Sequence, residues 1–247
     1  CRDDHALNRN TKVKTSSVRL GSRPTRHPRN FMVAMKTFML QRRWEHALAL
    51  LPEMQEQSLT PDVISYNAAI SACEKAGRWE QALSALAMMK ARALEPDVIS
   101  YSAAISACEK GEQWEWALRI LVDVHNEDIK PNVISFSSAM SACEKSEEWE
   151  RAVQMLLEMQ EQSLEPNVIS CNAAISASEK GKQWERAIGL LVEMREQRFE
   201  AHVISYNAAI SACKACEQWE LALSLVVGMQ ERRLTPNVIS YNAAISA

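Results

Sequence analysis

The sequence lacks several features that would assign it quickly to a functional class. Its longest uncharged stretches, such as residues 63–73, reach only about half the length of a membrane-spanning helix and contain Ser and Asn, so no transmembrane helix is predicted. Five histidines are scattered without a cluster, and the sequence has no phosphate-binding loop, nucleophile elbow or paired catalytic carboxylates. We therefore expect no catalytic residues, no metal site and no cofactor.

A strong positive charge is also missing. The formal net charge is −3, and residues 1–30 alone contribute +6 from eight Lys/Arg and two Asp, which leaves −9 for the remainder. This balance excludes a globally basic nucleic-acid-binding protein. We interpret residues 1–25 as a basic disordered segment or the remains of a transit peptide, and the start at Cys1 with an end in mid-repeat as signs of a fragment.

The chain repeats itself with a period of 35 residues. A degenerate unit covers residues 26–60, and five complete units and a half unit cover residues 61–247. A tryptophan keeps the spacing without a slip, at Trp44, Trp79, Trp114, Trp149, Trp184 and Trp219. A fixed period in this range is the signature of a solenoid.

Each unit predicts two helices. The first, roughly residues 64–75, starts after a Pro-Asp or Pro-Asn pair, in which Asp62 or Asn132 can cap the helix. Its apolar stripe has helical spacing and consists of Tyr66, Ala69, Ile70 and Cys73. The second, roughly residues 79–91, buries Trp79, Ala82, Leu83, Leu86 and Met89.

Glycine and proline mark the ends and irregularities of these helices. Gly77 and Gly111 are suited to the left-handed turn that ends the first helix of a unit. Pro52 falls inside the second helix of the degenerate unit and is expected to kink or shorten it.

A single hairpin cannot bury its own apolar faces, but stacked hairpins can. We therefore predict an all-α fold, a right-handed α-solenoid superhelix of helix-turn-helix hairpins with the first helices on the concave side. Four cysteines occupy one slot of the repeat and lie about 9 Å apart in such a stack, beyond disulfide reach, so we expect small buried side chains in a reducing compartment. They are Cys73, Cys108, Cys143 and Cys213.

The phrase VISYNAAISACEKAGRWEQALSALAMMKARALEPD, residues 63–97, resembles the pentatricopeptide repeat, a 35-residue helical hairpin of the P type. That resemblance implies sequence-selective binding of single-stranded RNA, one base per repeat. The implied base-reading pairs are Asn67 with Asp97, Ser102 with Asn132, Ser137 with Asn167, Asn172 with His202, and Asn207 with Asn237. The implied base-sandwiching residues are Ile64, Ile99, Ile134, Ile169, Ile204 and Ile239, and the implied phosphate contacts are Lys75, Lys110, Lys145 and Lys180.

By resemblance to the family's code, the chain would run from N to C along RNA from 5′ to 3′. Asn67/Asp97 would favour U, the two Ser/Asn pairs A, and Asn207/Asn237 a pyrimidine, whereas Asn172/His202 stays open. Met32 with Asp62 lacks a polar reader and is expected to read nothing. The resulting hypothesis is a core of 5′-UAA-N-Y-3′.

Other interpretations of the same residues remain. The groove of a solenoid can hold a peptide, which would make the chain a protein-interaction scaffold. The six repeated tryptophans are expected to be core rather than stacking platforms, and the pair Cys213 and Cys216 a coincidence rather than a redox or zinc motif. The resemblance further implies an organelle location, other RNA-processing proteins as partners, no membrane and a monomer; the deaminase motif of some family members is absent from the sequence.

Overall fold

A computed structural model describes residues 28–197, 199 and 201–247; the segment predicted for residues 1–25 lies outside the described residues. This part of the chain consists of thirteen α-helices without a strand. They are α1 (Pro28–Leu40), α2 (Trp44–Glu56), α3 (Val63–Lys75), α4 (Trp79–Ala91), α5 (Val98–Lys110), α6 (Trp114–Asn126), α7 (Val133–Lys145), α8 (Trp149–Glu161), α9 (Val168–Lys180), α10 (Trp184–Glu196), α11 (Val203–Ala215), α12 (Trp219–Glu231) and α13 (Val238–Ile245).

Odd-numbered helices are called helices A below, and even-numbered helices are called helices B. Each helix A packs against its own helix B, against the preceding helix B and against the helices A of neighbouring units. Small buried side chains such as Ala69 and Ala72 permit this close approach between helices A. The predicted all-α solenoid of stacked hairpins is confirmed, and no described helix is long and apolar enough to cross a membrane.

Most helices A begin at a capping side chain. The Asp97 carboxylate accepts a hydrogen bond from Ser100 N–H at 2.8 Å, and the Asn132 side-chain oxygen accepts one from Ser135 N–H at 2.9 Å. Asp62 makes the same bond, so both predicted caps are confirmed. Each cap satisfies a backbone donor that the first turn of a helix otherwise leaves without a partner.

Each hairpin turn contains one residue with left-handed backbone. Gly77, with φ of 68°, fits the prediction, but Gly111 has φ of −89° and the left-handed residue of its turn is Glu112, with φ of 56°. The prediction for Gly111 is wrong because the register of the turn, and not the position of the glycine, sets this conformation. Glu112 lies one repeat after Gly77. Its left-handed backbone has a cost in conformational energy that glycine does not have.

Gly111 is required for a different reason, the close approach of a tryptophan. A Cβ atom on Gly111 would lie 2.3 Å from Cδ1 of Trp79, which packs from the preceding unit, and Gly181 has the same relation to Trp149. Ala76 lies one repeat before Gly111, in the corresponding position. The corresponding tryptophan, Trp44, has the guanidinium of Arg78 5.5 Å from its ring centroid. The tryptophans from Trp44 to Trp184 are half-buried against the core, which confirms their predicted packing role. The prediction is wrong for Trp219, which is 56% exposed because only helix α13 follows its helix in the described chain.

The second helix of the degenerate unit keeps its full length. Helix α2 contains Pro52 and spans 13 residues, as α4 does, so the shortening expected from Pro52 does not occur. Leu51 and Met54 are buried on either side of the proline, and their packing holds the helix where one backbone hydrogen bond is lost.

The cysteines of the repeat slot are buried thiols, as predicted. Cys73, Cys108, Cys143 and Cys213 are inaccessible to solvent. Burial raises the pKa of Cys108 to about 12 and that of Cys213 to about 11, so both thiols are neutral and unreactive at physiological pH. Cys216 contacts the Lys182 carbonyl oxygen at 3.2 Å instead of forming a site with Cys213.

We predict opposite effects of alanine at two glycines. Gly111→Ala forces Trp79 from its position and is expected to lower the free energy of unfolding by about 1–3 kcal/mol. The matched control is Gly189→Ala, where the added Cβ meets no atom within 4 Å inside α10 and should stabilise the protein by about 0.5–1 kcal/mol. Thermal melts check both, and equal shifts for the two variants would contradict the proposed Trp79 contact.

Candidate nucleic-acid interface

The predicted site residues of one unit share a face of helix A. Ile64, Asn67, Ser71 and Lys75 recur at helical spacing, opposite the buried stripe that contains Tyr66. The six isoleucines are exposed although apolar, from 58% of the residue at Ile64 to 68% at Ile204. A large exposed apolar residue in the same place of six successive units indicates a contact surface.

The structure brings the predicted pairs together across each unit boundary. Asn67 Nδ2 lies 3.0 Å from Asp97 Oδ1, and Asn207 Nδ2 lies 3.3 Å from Asn237 Oδ1. The two serine readers behave alike: Ser102 Oγ is 3.3 Å from Asn132 Oδ1, and Ser137 Oγ is 3.4 Å from Asn167 Oδ1. Residues 30 positions apart in sequence therefore form one polar site in four of the five pairs.

The fifth pair differs. The structure shows no hydrogen bond between Asn172 and His202 among the described residues, and His202 is exposed. Asn172 Oδ1 instead accepts a hydrogen bond from Ser205 Oγ at 2.6 Å. The imidazole thus leaves the Asn172 amide nitrogen free, which distinguishes this boundary from the other four.

The second member of a pair has two functions at once. Asp97 Oδ1 caps helix α5 through Ser100 N–H and also accepts from Asn67 Nδ2, so the other oxygen, Oδ2, remains for a ligand. Burial alone raises the pKa of Asp97, but hydrogen bonds from Ser100 and Asn67 outweigh it and hold the pKa below the usual aspartate value. The carboxylate is therefore ionised at neutral pH and acts only as an acceptor.

Sequence reasoning missed one residue of this site, a serine three positions after each cap. It is buried in each unit from residue 61 onward, and its members are Ser65, Ser100, Ser135, Ser170, Ser205 and Ser240. Ser100 Oγ bonds to Asn67 Oδ1, and Ser240 Oγ donates to Asn207 Oδ1 at 2.6 Å. The available signal was the unvaried serine beside the varied reader positions.

The predicted phosphate-contacting lysines form a ladder of ion pairs between units. Lys145 Nζ lies 2.7 Å from Glu109 Oε1, Lys180 Nζ lies 3.1 Å from Glu144 Oε1, and Lys110 pairs with Glu74 in the same way. These lysine side chains remain about one third exposed, at 35% for Lys145 and Lys180. Lys145 and Lys180 also donate to the carbonyl oxygens of Glu109 and Glu144, at 3.3 and 2.8 Å, so one of the three donors of each ammonium remains for a further acceptor.

The ladder stops at both ends for reasons that the sequence explains. Lys75 has no carboxylate before it because Met39 stands in the place of the glutamate. Glu179 has no lysine after it because Ala215 stands in that place. Burial raises the pKa of Glu179, and hydrogen bonding with Ser211 and the charge of Lys180 offset this only in part.

Charge is divided between the two layers of helices. Helices B carry fourteen Asp/Glu and five Lys/Arg, whereas helices A carry four Glu and seven Lys/Arg. The prediction that acid collects on the second helices is confirmed. This division gives an array of net negative charge a layer that is suited to an anionic ligand.

Comparison with known families agrees with this architecture. The profile described as "PPR repeat family" matches residues 61–110, and the profile "Pentatricopeptide repeat domain" matches residues 86–146, 119–181, 154–215 and 189–247. The chain belongs to the pentatricopeptide repeat family. No curated protein sequence matches it.

Solved pentatricopeptide repeat structures share the fold. The pentatricopeptide repeat protein PPR10 from maize is 23% identical, with a TM-score of 0.65 over 92% of this chain and 32% of its own. PPR10 in complex with an 18-nt psaJ RNA element is 18% identical, with a TM-score of 0.58 over 91% of this chain and 38% of its own. The PPR domain of Arabidopsis thaliana protein-only RNase P 1 in complex with tRNA is 12% identical, with a TM-score of 0.63 over 70% of this chain and 91% of its own. This chain therefore spans about a third of the length of PPR10.

We predict that Ala215→Lys extends the ladder of this pentatricopeptide repeat chain. The folded pKa of Glu179 lies above its unfolded value, so its ionisation costs stability as pH rises through these values. A lysine at position 215 removes that cost and should add about 0.2–1 kcal/mol to the free energy of unfolding at pH 7.

The gain in the free energy of unfolding should disappear at a pH low enough to protonate Glu179. It should also disappear in the double variant with Glu179→Gln. Ala215→Met is the uncharged control of similar length. Thermal melts at pH 7 and pH 3 check the prediction, and a gain that persists at pH 3 would show that packing, and not the ion pair, is responsible.

Proposed function

We propose that this chain binds single-stranded RNA along its layer of helices A and reads one base at each unit boundary. The observation that carries the proposal is the polar pair, which is hydrogen-bonded or close at four boundaries, stands beside an exposed isoleucine and recurs with the 35-residue period. The described complex of PPR10 with an 18-nt psaJ RNA element supports a nucleic-acid ligand for this fold. The base preferences follow from the hydrogen-bonding groups that the protein leaves free.

The pair Asn67 and Asp97 leaves one donor and one acceptor. One N–H of Asn67 is directed to Asp97 Oδ1 and its carbonyl oxygen is bonded to Ser100, so the second N–H is free. Asp97 Oδ2 is the free acceptor. Uracil offers a carbonyl oxygen next to N3–H, which complements this pair and supports the assignment of U to the first base.

The pair Ser102 and Asn132 leaves the opposite arrangement. Ser102 Oγ bonds to the Val98 carbonyl oxygen at 2.5 Å, which uses its proton and leaves the oxygen as an acceptor. Asn132 Oδ1 caps helix α7, so its amide nitrogen is the free donor. Adenine offers an amino donor next to the N1 acceptor, which supports A here and, by the same residue types, at Ser137 with Asn167.

The last two boundaries complete the proposed site. Asn207 and Asn237 both have their side-chain oxygens engaged and present amide donors, which suit the acceptors of a pyrimidine. Asn172 with His202 stays unassigned. The proposed core therefore remains 5′-UAA-N-Y-3′.

Two further groups of residues complete the proposed contacts. The exposed isoleucines are spaced to hold each base between neighbouring units, as stacking platforms do. The ladder lysines would contact phosphates with their remaining donors. Each phosphate contact made by a lysine should lower the logarithm of the binding constant by about 0.7 per tenfold rise in salt.

The cellular role is part of the same proposal. We infer that the chain has no catalytic activity of its own and acts in organelle RNA processing, stability or translation together with other RNA-processing proteins. The family resemblance supports the location and the type of process. The chemistry of the helix A layer supports the RNA ligand and provides no support for the cellular role.

A peptide ligand is the competing proposal, because an exposed apolar row also suits an extended peptide. Binding of RNA pools at two salt concentrations separates the two proposals. Retention of RNA that weakens with salt supports the nucleic-acid site, and the absence of any RNA binding at low salt favours the peptide.

We predict that Asn132→Asp changes the second base. Aspartate caps helix α5 at position 97 as asparagine caps α7 at position 132, so the fold should be unaffected. The exposed donor becomes an acceptor, which should remove the preference for A and favour a base with an edge N–H, by about tenfold. Fluorescence anisotropy on RNAs that differ only at this base measures the ratio.

The control is Asp62→Asn, which changes charge at a cap that faces Met32, the reader position of the preceding unit. It should alter the overall affinity and leave all base preferences unchanged. If Asn132→Asp keeps the wild-type preference for A, the proposed reading of bases at unit boundaries is wrong.

A further inference from the structure

We propose that the buried serine three positions after each cap is a specificity-determining residue, because it sets the orientation of the reader amide of the preceding unit. The inference rests on the proposed function and deepens it. It concerns Ser100, Ser205 and Ser240, which follow the three asparagine readers by 33 residues.

All three asparagine readers are held in the same way. The side-chain oxygens of Asn67, Asn172 and Asn207 accept hydrogen bonds from the hydroxyl groups of Ser100, Ser205 and Ser240. At Asn172 this is the bond that fixes the amide, since the reader makes none to His202 in the described chain. Each amide therefore presents its NH₂ group to the groove.

The Ser100 hydroxyl lies near two acceptors, Asn67 Oδ1 and, at 2.9 Å, Asp97 Oδ1. Ser100 Oγ accepts the Asp97 backbone N–H at 3.1 Å, which occupies one lone pair. Asp97 Oδ1 already receives Ser100 N–H and Asn67 Nδ2, whereas the Asn67 oxygen has the serine hydroxyl as its donor. Since a hydroxyl group has one proton, the Asn67 oxygen is the acceptor that needs it most.

The Asn67 orientation follows from chemistry as well as from geometry. A carboxylate can only accept, so Asp97 requires the nitrogen of the Asn67 amide on its side, and the serine hydroxyl then meets the oxygen. Asn67 is only 8% exposed, so rotation of the amide would leave a buried oxygen against a carboxylate. The serine thereby converts an amide that could donate or accept into a dedicated donor.

Other boundaries provide the comparison. Ser135 Oγ lies 3.0 Å from Ser102 Oγ, so at this boundary the serine contacts a hydroxyl reader. Ser65 faces Met32, which occupies the reader position of the preceding unit and is not a polar reader. The Ser65 hydroxyl lies 3.8 Å from the Met32 sulfur. Ser65 nevertheless contacts its cap, Asp62, at 2.6 Å. It is therefore a natural control for the capping contribution of the serine.

The test compares Ser100→Ala with Ser65→Ala and Ser100→Thr on 5′-UAANY-3′ RNA and on RNAs changed at the first base. Ser100→Ala should reduce the preference for U at that base by about fivefold, the factor that one hydrogen bond supplies, with no change at the other bases. Ser65→Ala should leave every preference intact, and Ser100→Thr should restore the wild-type ratio because it keeps the hydroxyl. The melting temperature should fall by a similar amount in the two alanine variants.

The outcomes separate this inference from the proposed function. If the wild type discriminates at the first base and Ser100→Ala keeps the full ratio, the inference alone is overturned. If both alanine variants weaken binding to all RNAs equally, the serine contributes to stability and not to specificity, which also overturns it. If the wild type shows no base preference at all, the proposed function fails and the inference fails with it.

Discussion

The hydrogen bonds of the helix-capping side chain are the interaction on which both the fold and the proposed site depend. Asp97 starts helix α5 and in the same place bonds to Asn67 of the preceding unit. A residue that must cap a helix has one side-chain oxygen in a fixed position. The second polar atom of the side chain, Oδ2 in Asp or Nδ2 in Asn, is therefore fixed as well. The stability of each hairpin and the presentation of its polar pair are thus achieved by the same few atoms.

This dual function explains which residue types can vary at a cap. Asp and Asn both provide the capping oxygen, and they differ only in the outer atom, an oxygen acceptor in Asp97 and an NH₂ donor in Asn132. Under the proposed function, variation between Asp and Asn would change recognition at little cost to folding. His202 is the exception, and the same boundary lacks the direct pair bond. An array can in this way keep one fold while its ligand preference changes unit by unit.

The sequence predicts the period, the helices and the caps, because each depends on local spacing that repeats without a slip. The pairing of polar positions follows from the family resemblance, and other contacts between side chains of neighbouring units are not predicted. The sequence suggests phosphate contacts for the lysines but gives no sign that Lys145 pairs with Glu109, which lies 36 residues before it. Gly111 was assigned to a turn, whereas its role is contact with Trp79. Both depend on how one hairpin sits on the next, which no single unit encodes.

The central claim is that each unit boundary corresponds to one base, and removal of one unit tests it most directly. Excision of residues 131–165 joins identical structural positions and leaves Ser102 facing Asn167 as a new Ser/Asn pair. Selection of bound RNAs from a random pool should then change from 5′-UAA-N-Y-3′ to 5′-UA-N-Y-3′, shorter by one adenine. A selected sequence that keeps its length and both adenines would contradict the account.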